Sequence, residues 1–266
     1  MNLKLGMISD LHARKNKWFM QRKLIQQIME FFISRQVDAV IGLGDRIEGT
    51  SCLEDEELTM IIRQELEHFN MKVFYLYGNH DLFYVNKSML NSILKKKNSY
   101  EIAKLKDFLL LILDSNDGQS AFVSRRQIDW MCKVLTENNS PVLIFSHHPI
   151  FAIDISEHAY FSLHPNEAIV NNFHEVQSCI LRNPKVIGVF QGHIHQLLKK
   201  SISGKIFGIN PPLHDSQDKN FPEGGIAITD ITFPGTIKVS YFRVTTKGNE
   251  YLFPEMEDLE FQLECN

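Results

Sequence analysis

Five short polar clusters each stand directly after an apolar stretch in the first three-quarters of the chain. This repeat limits the fold more than any other feature. The clusters are Asp10-Leu11-His12, Gly44-Asp45, Gly78-Asn79-His80-Asp81, His147-His148-Pro149 and Gly192-His193-Ile194-His195. The apolar stretches before them, residues 3–8, 39–43, 73–77, 142–145 and 186–190, have the length and composition of buried strands. Residues 108–113 read the same way. Helical spacing fills the gaps. Leu24, Ile25, Ile28, Phe31 and Phe32 make one stripe within residues 18–35. Leu58, Ile61, Ile62, Leu66 and Phe69 make another within 54–69, a helix that opens with acidic residues where its dipole favours them. Ser124 followed three residues later by Gln127 marks a capped helix over 124–135. A further helix is expected over 166–181, with Pro165 near its start. Strands alternating with helices indicate α/β layers. Ligands of such folds gather beyond the carboxyl ends of the strands, so the five clusters are expected on one rim.

Past residue 190 the helical pattern stops. A hairpin is expected over 201–209, turning at Ser203-Gly204, followed by strands over 226–231 and 237–244. The C-terminal part is therefore β-rich. There is no internal repeat, low-complexity tract or linker, and the whole of 1–266 reads as one domain.

Composition narrows the function. Apolar residues make up 44% of the 266, enough for a sizeable core. The formal charge is −4 and the pI near 6.3, so no global basic field calls for nucleic acid. Cys52, Cys132, Cys179 and Cys265 are widely spaced and form no C-x-x-C pair, a pattern expected of buried thiols in a reduced compartment. The N-terminus has no secretory pattern, and the apolar run 108–113 is far too short to cross a bilayer. A cytoplasmic location and no membrane association are the resulting expectations. No apolar interface face stands out, and a homodimer stays open.

The clusters supply carboxylate, amide and imidazole groups in a number suited to two adjacent metal ions. Two divalent cations roughly 3.5–4 Å apart need a bridging ligand and several terminal ones. A carboxylate bridges well because its two oxygens can face two ions. Mixed nitrogen and oxygen donors favour Mn, Fe, Zn or Co over Mg or Ca. Such ions lower the pKa of bound water, and a bridging hydroxide can attack phosphorus in line while the ions neutralise the oxygens.

Taken in order, D-x-H, G-D, G-N-H-[DE], H-x-P and G-H-x-H over roughly residues 1–200 resemble the calcineurin-like metallophosphoesterases. Each motif alone is weak, and the ordered set is highly specific. The resemblance implies an α/β/β/α sandwich of two mixed sheets flanked by helices, and two metal ions with Mn and Fe favoured. Asp10, His12 and His195 would hold the first ion. Asn79, His147 and His193 would hold the second, and Asp45 would bridge them. His80 would contact the phosphate and protonate the leaving oxygen, with Asp81 orienting its ring. His147 rather than His148 is the implied ligand, because it lies two residues before the proline. Many members carry Asp or Asn three residues after the bridging Asp; here Glu48 stands there, so loop shape and substrate contacts are expected to differ.

Outside the motifs, Phe151 to Asn166 is too polar for a core strand and carries His158, Tyr160, Phe161 and His164. It reads either as an ordinary surface loop or, with residues up to 175, as a cap whose aromatics stack a base. Lys95-Lys96-Lys97 reads as a solvated turn. The compact cap and the absence of a large extra domain resemble the bacterial class III cyclic-nucleotide phosphodiesterases. The expected substrate is thus a 3′,5′-cyclic nucleotide or related small nucleotide diester. A phosphomonoesterase and a nucleotide-diphosphate hydrolase are the alternatives on the same site. A nuclease fits the acidic balance poorly, and a non-catalytic scaffold fits the complete motif set poorly.

Overall fold

The computed structural model describes residues 1–118, 120–213, 224–248 and 250–263. Its strands are β1 (Asn2–Ile8), β2 (Ala39–Gly42), β3 (Lys72–Tyr75), β4 (Glu101–Leu105), β5 (Phe108–Ile112), β6 (Val142–Phe145), β7 (Val186–Gln191), β8 (Leu198–Ile202), β9 (Lys205–Ile209), β10 (Gly225–Thr232), β11 (Thr236–Arg243), β12 (Thr245–Lys247), β13 (Glu250–Leu252) and β14 (Glu255–Gln262). The helices are α1 (Trp18–Ser34), α2 (Cys52–Glu67), α3 (Lys87–Ile93), α4 (Arg125–Glu137), α5 (Pro165–Ala168) and α6 (Phe173–Leu181).

Two six-stranded mixed sheets form the body. One runs β14-β11-β10-β1-β2-β3 and the other β4-β5-β6-β7-β9-β8, with β12-β13 a separate hairpin. Strands β1, β2 and β3 are parallel, as are β5, β6, β7 and β9. Period-two alternation decides the layers. Leu3, Leu5 and Met7 of β1 meet Phe108, Leu110 and Ile112 of β5 in a core between the sheets. Val40 of β2 packs outward with Leu24, Ile28 and Phe32 of α1 and Leu58, Ile62 and Leu66 of α2. Leu109 and Leu111 of β5 face the other way, toward Ile128 and Met131 of α4 and Val176 and Ile180 of α6. These three cores separate the four layers of an α/β/β/α sandwich. Because β5 is covered on both faces, its sequence is a continuous apolar run rather than an alternating one.

Ser51 and Ser124 cap α2 and α4 by accepting from the backbone N–H three residues on. The β8–β9 hairpin turns on Ser203 and Gly204, both at positive φ. Three expectations are corrected. The helix expected over 166–181 is broken into α5 and α6, because Val170 and Asn171 donate their backbone N–H groups to Pro149 and Ala121 instead of continuing it. Lys96 is not solvated: its ammonium pairs with Glu101 at 3.1 Å, donates to the Tyr75 carbonyl and lies over the Tyr77 ring. Cys132 and Cys179 are joined in a disulfide across α4 and α6, 47 residues apart in sequence but with Cα atoms 5.8 Å apart. Cys52 is a free, exposed thiol, and Cys265 lies outside the described residues. No helix among the described residues is long and apolar enough to cross a membrane.

Candidate metal centre

The five clusters lie beyond the carboxyl ends of β1, β2, β3, β6 and β7, and they meet. Donor atoms of Asp10, His12 and His195 fall within 4.8 Å of one another. So do those of Asp10, Asp45 and His147. The His12 and His195 Nε2 atoms are 3.2 Å apart, and His195 Nε2 is 3.5 Å from Asp10 Oδ1. On the other side, the His147 Nε2 is 3.2 Å from the Asn79 Oδ1. Asp45 sits between the groups, with Oδ2 at 3.7 Å from His12 Nε2 and 3.4 Å from His147 Nε2. His193 groups with His147 and His148.

Backbone geometry brings these loops together at a cost. Asp10, His12, Asp45, His193 and His195 all have φ between 46° and 74°. Non-glycine residues held there cost on the order of 1–3 kcal/mol each, and such strain concentrates at functional sites. The motif glycines let the loops approach. A Cβ on Gly78 would collide with the carboxylate and backbone nitrogen of Asp45, and one on Gly44, at φ +108°, would come 2.6 Å from His147 Nδ1.

Several imidazoles have their outer nitrogen fixed, which sets the direction of the inner one. His147 Nδ1 donates to the Leu43 carbonyl at 2.9 Å. His193 Nε2 donates to the Glu167 carbonyl at 2.8 Å, leaving Nδ1 for the cluster. His12 Nδ1 is 3.1 Å from Glu48 Oε2. Asp10 accepts from the Ser9 hydroxyl and the His193 N–H.

Electrostatics match a cation site. Burial raises the Asp10 carboxyl, but hydrogen bonding to His195 and nearby imidazole charge outweigh it and lower Asp10 to about 2. Burial lowers His147, but the Asp45 carboxylate beside it wins and raises it to about 9. Burial and the charge of His147 lower His193 to about 3. The lowered Asp10 and raised His147 both reflect carboxylate charge packed among imidazoles, charge that a bound cation would balance in place of a proton. Converging imidazole nitrogens with carboxylate and amide oxygens between them are the donor set of a mixed nitrogen–oxygen metal pair, so the residues fit two such ions.

His80 lies beside this cluster. Its ring centroid is 4.5 Å from that of His12, and its backbone N–H donates to Asp45 Oδ1 at 2.9 Å. The expected contact of Asp81 with the His80 ring is corrected. Asp81 is fully buried and turned away, accepting from the Arg46 N–H at 3.1 Å and the Gly78 N–H at 2.9 Å and pairing with the Arg46 guanidinium. It ties the Asp45 loop to the Gly78 loop, and burial raises its carboxyl. The His80 Nδ1 instead meets the Glu48 carbonyl oxygen at 2.7 Å. The fully buried His148 reaches Ser115 Oγ through Nδ1 at 2.8 Å, with its ring centroid 4.2 Å from that of His193. Ser115 and the Glu167 carbonyl carried no signal in the sequence. Glu48 did, as the one departure from the motif pattern.

A cavity of about 700 Å³ opens over the cluster. Asp45, Asn79, His80, His148, His193 and His195 line it from the metal side; His158, Tyr160, Phe161 and Glu167 line it from the segment after Pro149. His158 pins that segment. Its Nε2 donates to the Ile194 carbonyl, between His193 and His195, and its Nδ1 accepts the N–H groups of Tyr160 and Phe161, all at 3.1 Å.

Residues 3–197 match the family model of the calcineurin-like phosphoesterases, and the chain belongs to that family. It is a metal-dependent phosphoesterase whose His and Asp groups can hold metal. A probable cyclic nucleotide phosphodiesterase of Fibrobacter succinogenes is 24% identical over 224 residues, 82% of each chain. A 3′,5′-cyclic-nucleotide phosphodiesterase of Nostoc is 27% identical over 143 residues, 52% of this chain and about half, 51%, of that one. Among solved structures, a dimetal phosphatase from Danio rerio superposes with a TM-score of 0.76 at 14% identity, covering 98% of this chain and 99% of that one. At that identity the likeness concerns the fold.

Proposed function

We propose that the chain hydrolyses small phosphodiesters, with 3′,5′-cyclic nucleotides or related nucleotide diesters as substrates. The observation that carries this reading is the charge of the cavity. Among the described residues neither Lys nor Arg lines it, while Asp45 and Glu167 do. A singly charged diester needs no cation beyond the metal pair. A second phosphate would meet Glu167 instead, which disfavours nucleotide diphosphates. The relatives named above as cyclic-nucleotide phosphodiesterases support the same substrate class.

In this reading Asp10, His12 and His195 would hold one ion, Asn79, His147 and His193 the other, and the Asp45 carboxylate would be shared by both. The bound pair supplies Lewis acidity and an activated water. Everything else falls to side chains. His80 donates from Nδ1 to the Glu48 carbonyl, so it can act as the acid only as the imidazolium: Nε2 then gives its proton to the leaving oxygen and the ring is left neutral with Nδ1–H still on the carbonyl. Residues 151–175 act as a cap that limits water and holds the organic part of the substrate. Phe83, 55% exposed, rests its ring 4.6 Å from that of His80 and lines the cavity. Tyr160, 50% exposed, is fixed by stacking on His164 and by its hydroxyl on Glu167. Exposed, pinned aromatic faces suit a planar base.

The test is a paired assay of Mn-loaded protein on bis(p-nitrophenyl) phosphate and p-nitrophenyl phosphate, followed by 3′,5′-cyclic AMP and ADP-ribose. Preference for the diesters, with ADP-ribose inert, is the expected result. Preference for the monoester moves the chain to the phosphatases and discards the substrate assignment.

A further inference from the structure

Glu48 occupies the position where this chain departs from the common motif, and it touches both halves of the site. Its Oε2 is 3.1 Å from His12 Nδ1, its Oε1 accepts from the Arg14 guanidinium at 2.8 Å, and its backbone carbonyl meets His80 Nδ1 at 2.7 Å. The residue is itself held in place. Glu48 N–H donates to the Ala13 carbonyl at 3.1 Å, and Ala13 N–H donates to the Arg46 carbonyl at 3.0 Å. These bonds extend the β1–β2 pairing as an isolated bridge, Ala13 to Ile47, past the strand ends.

We propose that Glu48 is a positioning residue with two separate grips. Its carboxylate fixes His12 so that Nε2 points into the metal cluster, and its main-chain carbonyl fixes His80 so that Nε2 faces the cavity. The proposal rests on the assignment of His12 to the first ion. The physical case has two parts. A histidine that binds metal through one nitrogen holds its orientation and tautomer by donating from the other, and carboxylates are the strongest such acceptors. Second, Arg14 occupies the second oxygen, so the carboxylate cannot rotate away from His12 without leaving the guanidinium. Aspartate at this position is one methylene shorter and would draw the carboxylate back from His12. The longer side chain spans that gap.

The two grips can be separated, because substitution removes the carboxylate and keeps the carbonyl. The experiment is titration of metal-free protein with MnCl2 by calorimetry, for wild type, Glu48→Ala, Glu48→Asp and Glu48→Gln. Glu48→Ala and Glu48→Asp are expected to weaken one of the two binding events about 10–100-fold and leave the other unchanged. Glu48→Gln keeps an acceptor oxygen of the right reach and is expected to bind both ions nearly as wild type does. If Glu48→Ala does not fold, Glu48→Asp against Glu48→Gln gives the same comparison. Wild-type affinity at both events in Glu48→Asp overturns the proposal, and so does equal loss at both. Titration needs no turnover, so a wrong substrate assignment cannot mimic either outcome. A second readout separates the carbonyl grip: on diesters of graded leaving-group pKa, Glu48→Ala is expected to keep the wild-type slope. A slope altered as in His80→Ala would show that the carboxylate also governs His80, and would overturn the division of roles.

Discussion

The metal-side rim and the segment over it are held by different means. On the rim, loop is bonded to loop through the backbone: Asp10 N–H to the Gly44 carbonyl at 3.1 Å, His12 N–H to the Asp45 carbonyl at 3.0 Å, and Gly192 N–H to the His147 carbonyl at 3.0 Å. Its carboxylates and most of its imidazoles are buried. Residues 151–175 instead combine apolar packing with bonds to several neighbours: Phe151, Phe161, Ala168 and Val170 are buried in the core with α4 and α6, Val170 and Asn171 donate to the Pro149 and Ala121 carbonyls, and His158 and the Glu167 carbonyl reach Ile194 and His193, while Tyr160 and Leu163 stay exposed. A rim that tolerates five left-handed backbones has to be over-determined by its surroundings. A cap need only place its exposed side chains, and loops on a rigid scaffold are where binding specificity is usually set. On the proposed function, reaction type belongs to the rim and substrate choice to the cap.

The largest effect should follow from damage to the rim at its centre. Asp45→Asn removes a charge shared by both donor groups, and turnover on every substrate should fall by at least about 10³-fold, as when a principal electrostatic group is lost. Metal content should drop with it. Two full equivalents of metal in this variant would break the placement of Asp45 between the ions. Stripping the metals with a chelator should also lower thermal stability, because a ligand at about 100 times its Kd stabilises the native state by about 2.7 kcal/mol. Re-addition of Mn should restore the melting temperature. His80→Ala comes next. It should bind metal normally yet slow diesters with alkyl leaving groups about 10²-fold, and p-nitrophenyl diesters far less. Equal slowing of both would leave His80 without an acid role.

Legibility in the sequence divides along the same line. The rim could be read because strand ends and motif order are local properties: Asp10, Asp45 and His193 each follow an apolar run by a few residues. Most strands and helices are visible as apolar runs and periodicity, whereas the two mixed sheets follow from the resemblance, and β4, α3 and β14 have no such signal. What sets the second-rank geometry was not visible, because it is tertiary. Asp81 looked like a partner for the neighbouring His80 ring, but its burial makes the backbone N–H groups of Arg46 and Gly78 the better partners. The His80 ring then takes a carbonyl from Glu48, 32 positions earlier. Helix 166–181 had adequate spacing, yet Val170 is drawn into bonding the Pro149 carbonyl, and no single-sequence pattern announces that. The same holds for Cys132 and Cys179, brought together only when α4 and α6 pack. Lys96 resembled its solvated neighbours until Glu101 and the Tyr75 carbonyl were placed around it.

Substitutions that spare the rim should give smaller, substrate-selective effects, and these sharpen the comparison most. Phe83→Ala should reduce kcat/KM for 3′,5′-cyclic AMP about 10-fold, the scale of one lost base–aromatic stack. A cyclic ribose phosphate lacking the base should be unaffected. His158→Ala acts at one remove. It frees the N–H groups of Tyr160 and Phe161 and the Ile194 carbonyl without touching a candidate ligand, so the cap loosens and the metal side persists. The expected result is a rise in KM for the cyclic nucleotide of a few-fold, on the order of 1 kcal/mol for a net hydrogen bond, with kcat and Mn affinity retained. Loss of Mn affinity in His158→Ala would show that the cap supports His193 and His195 directly. Rim and cap would then be one mechanical unit, and the division between chemistry and selection drawn above would fail.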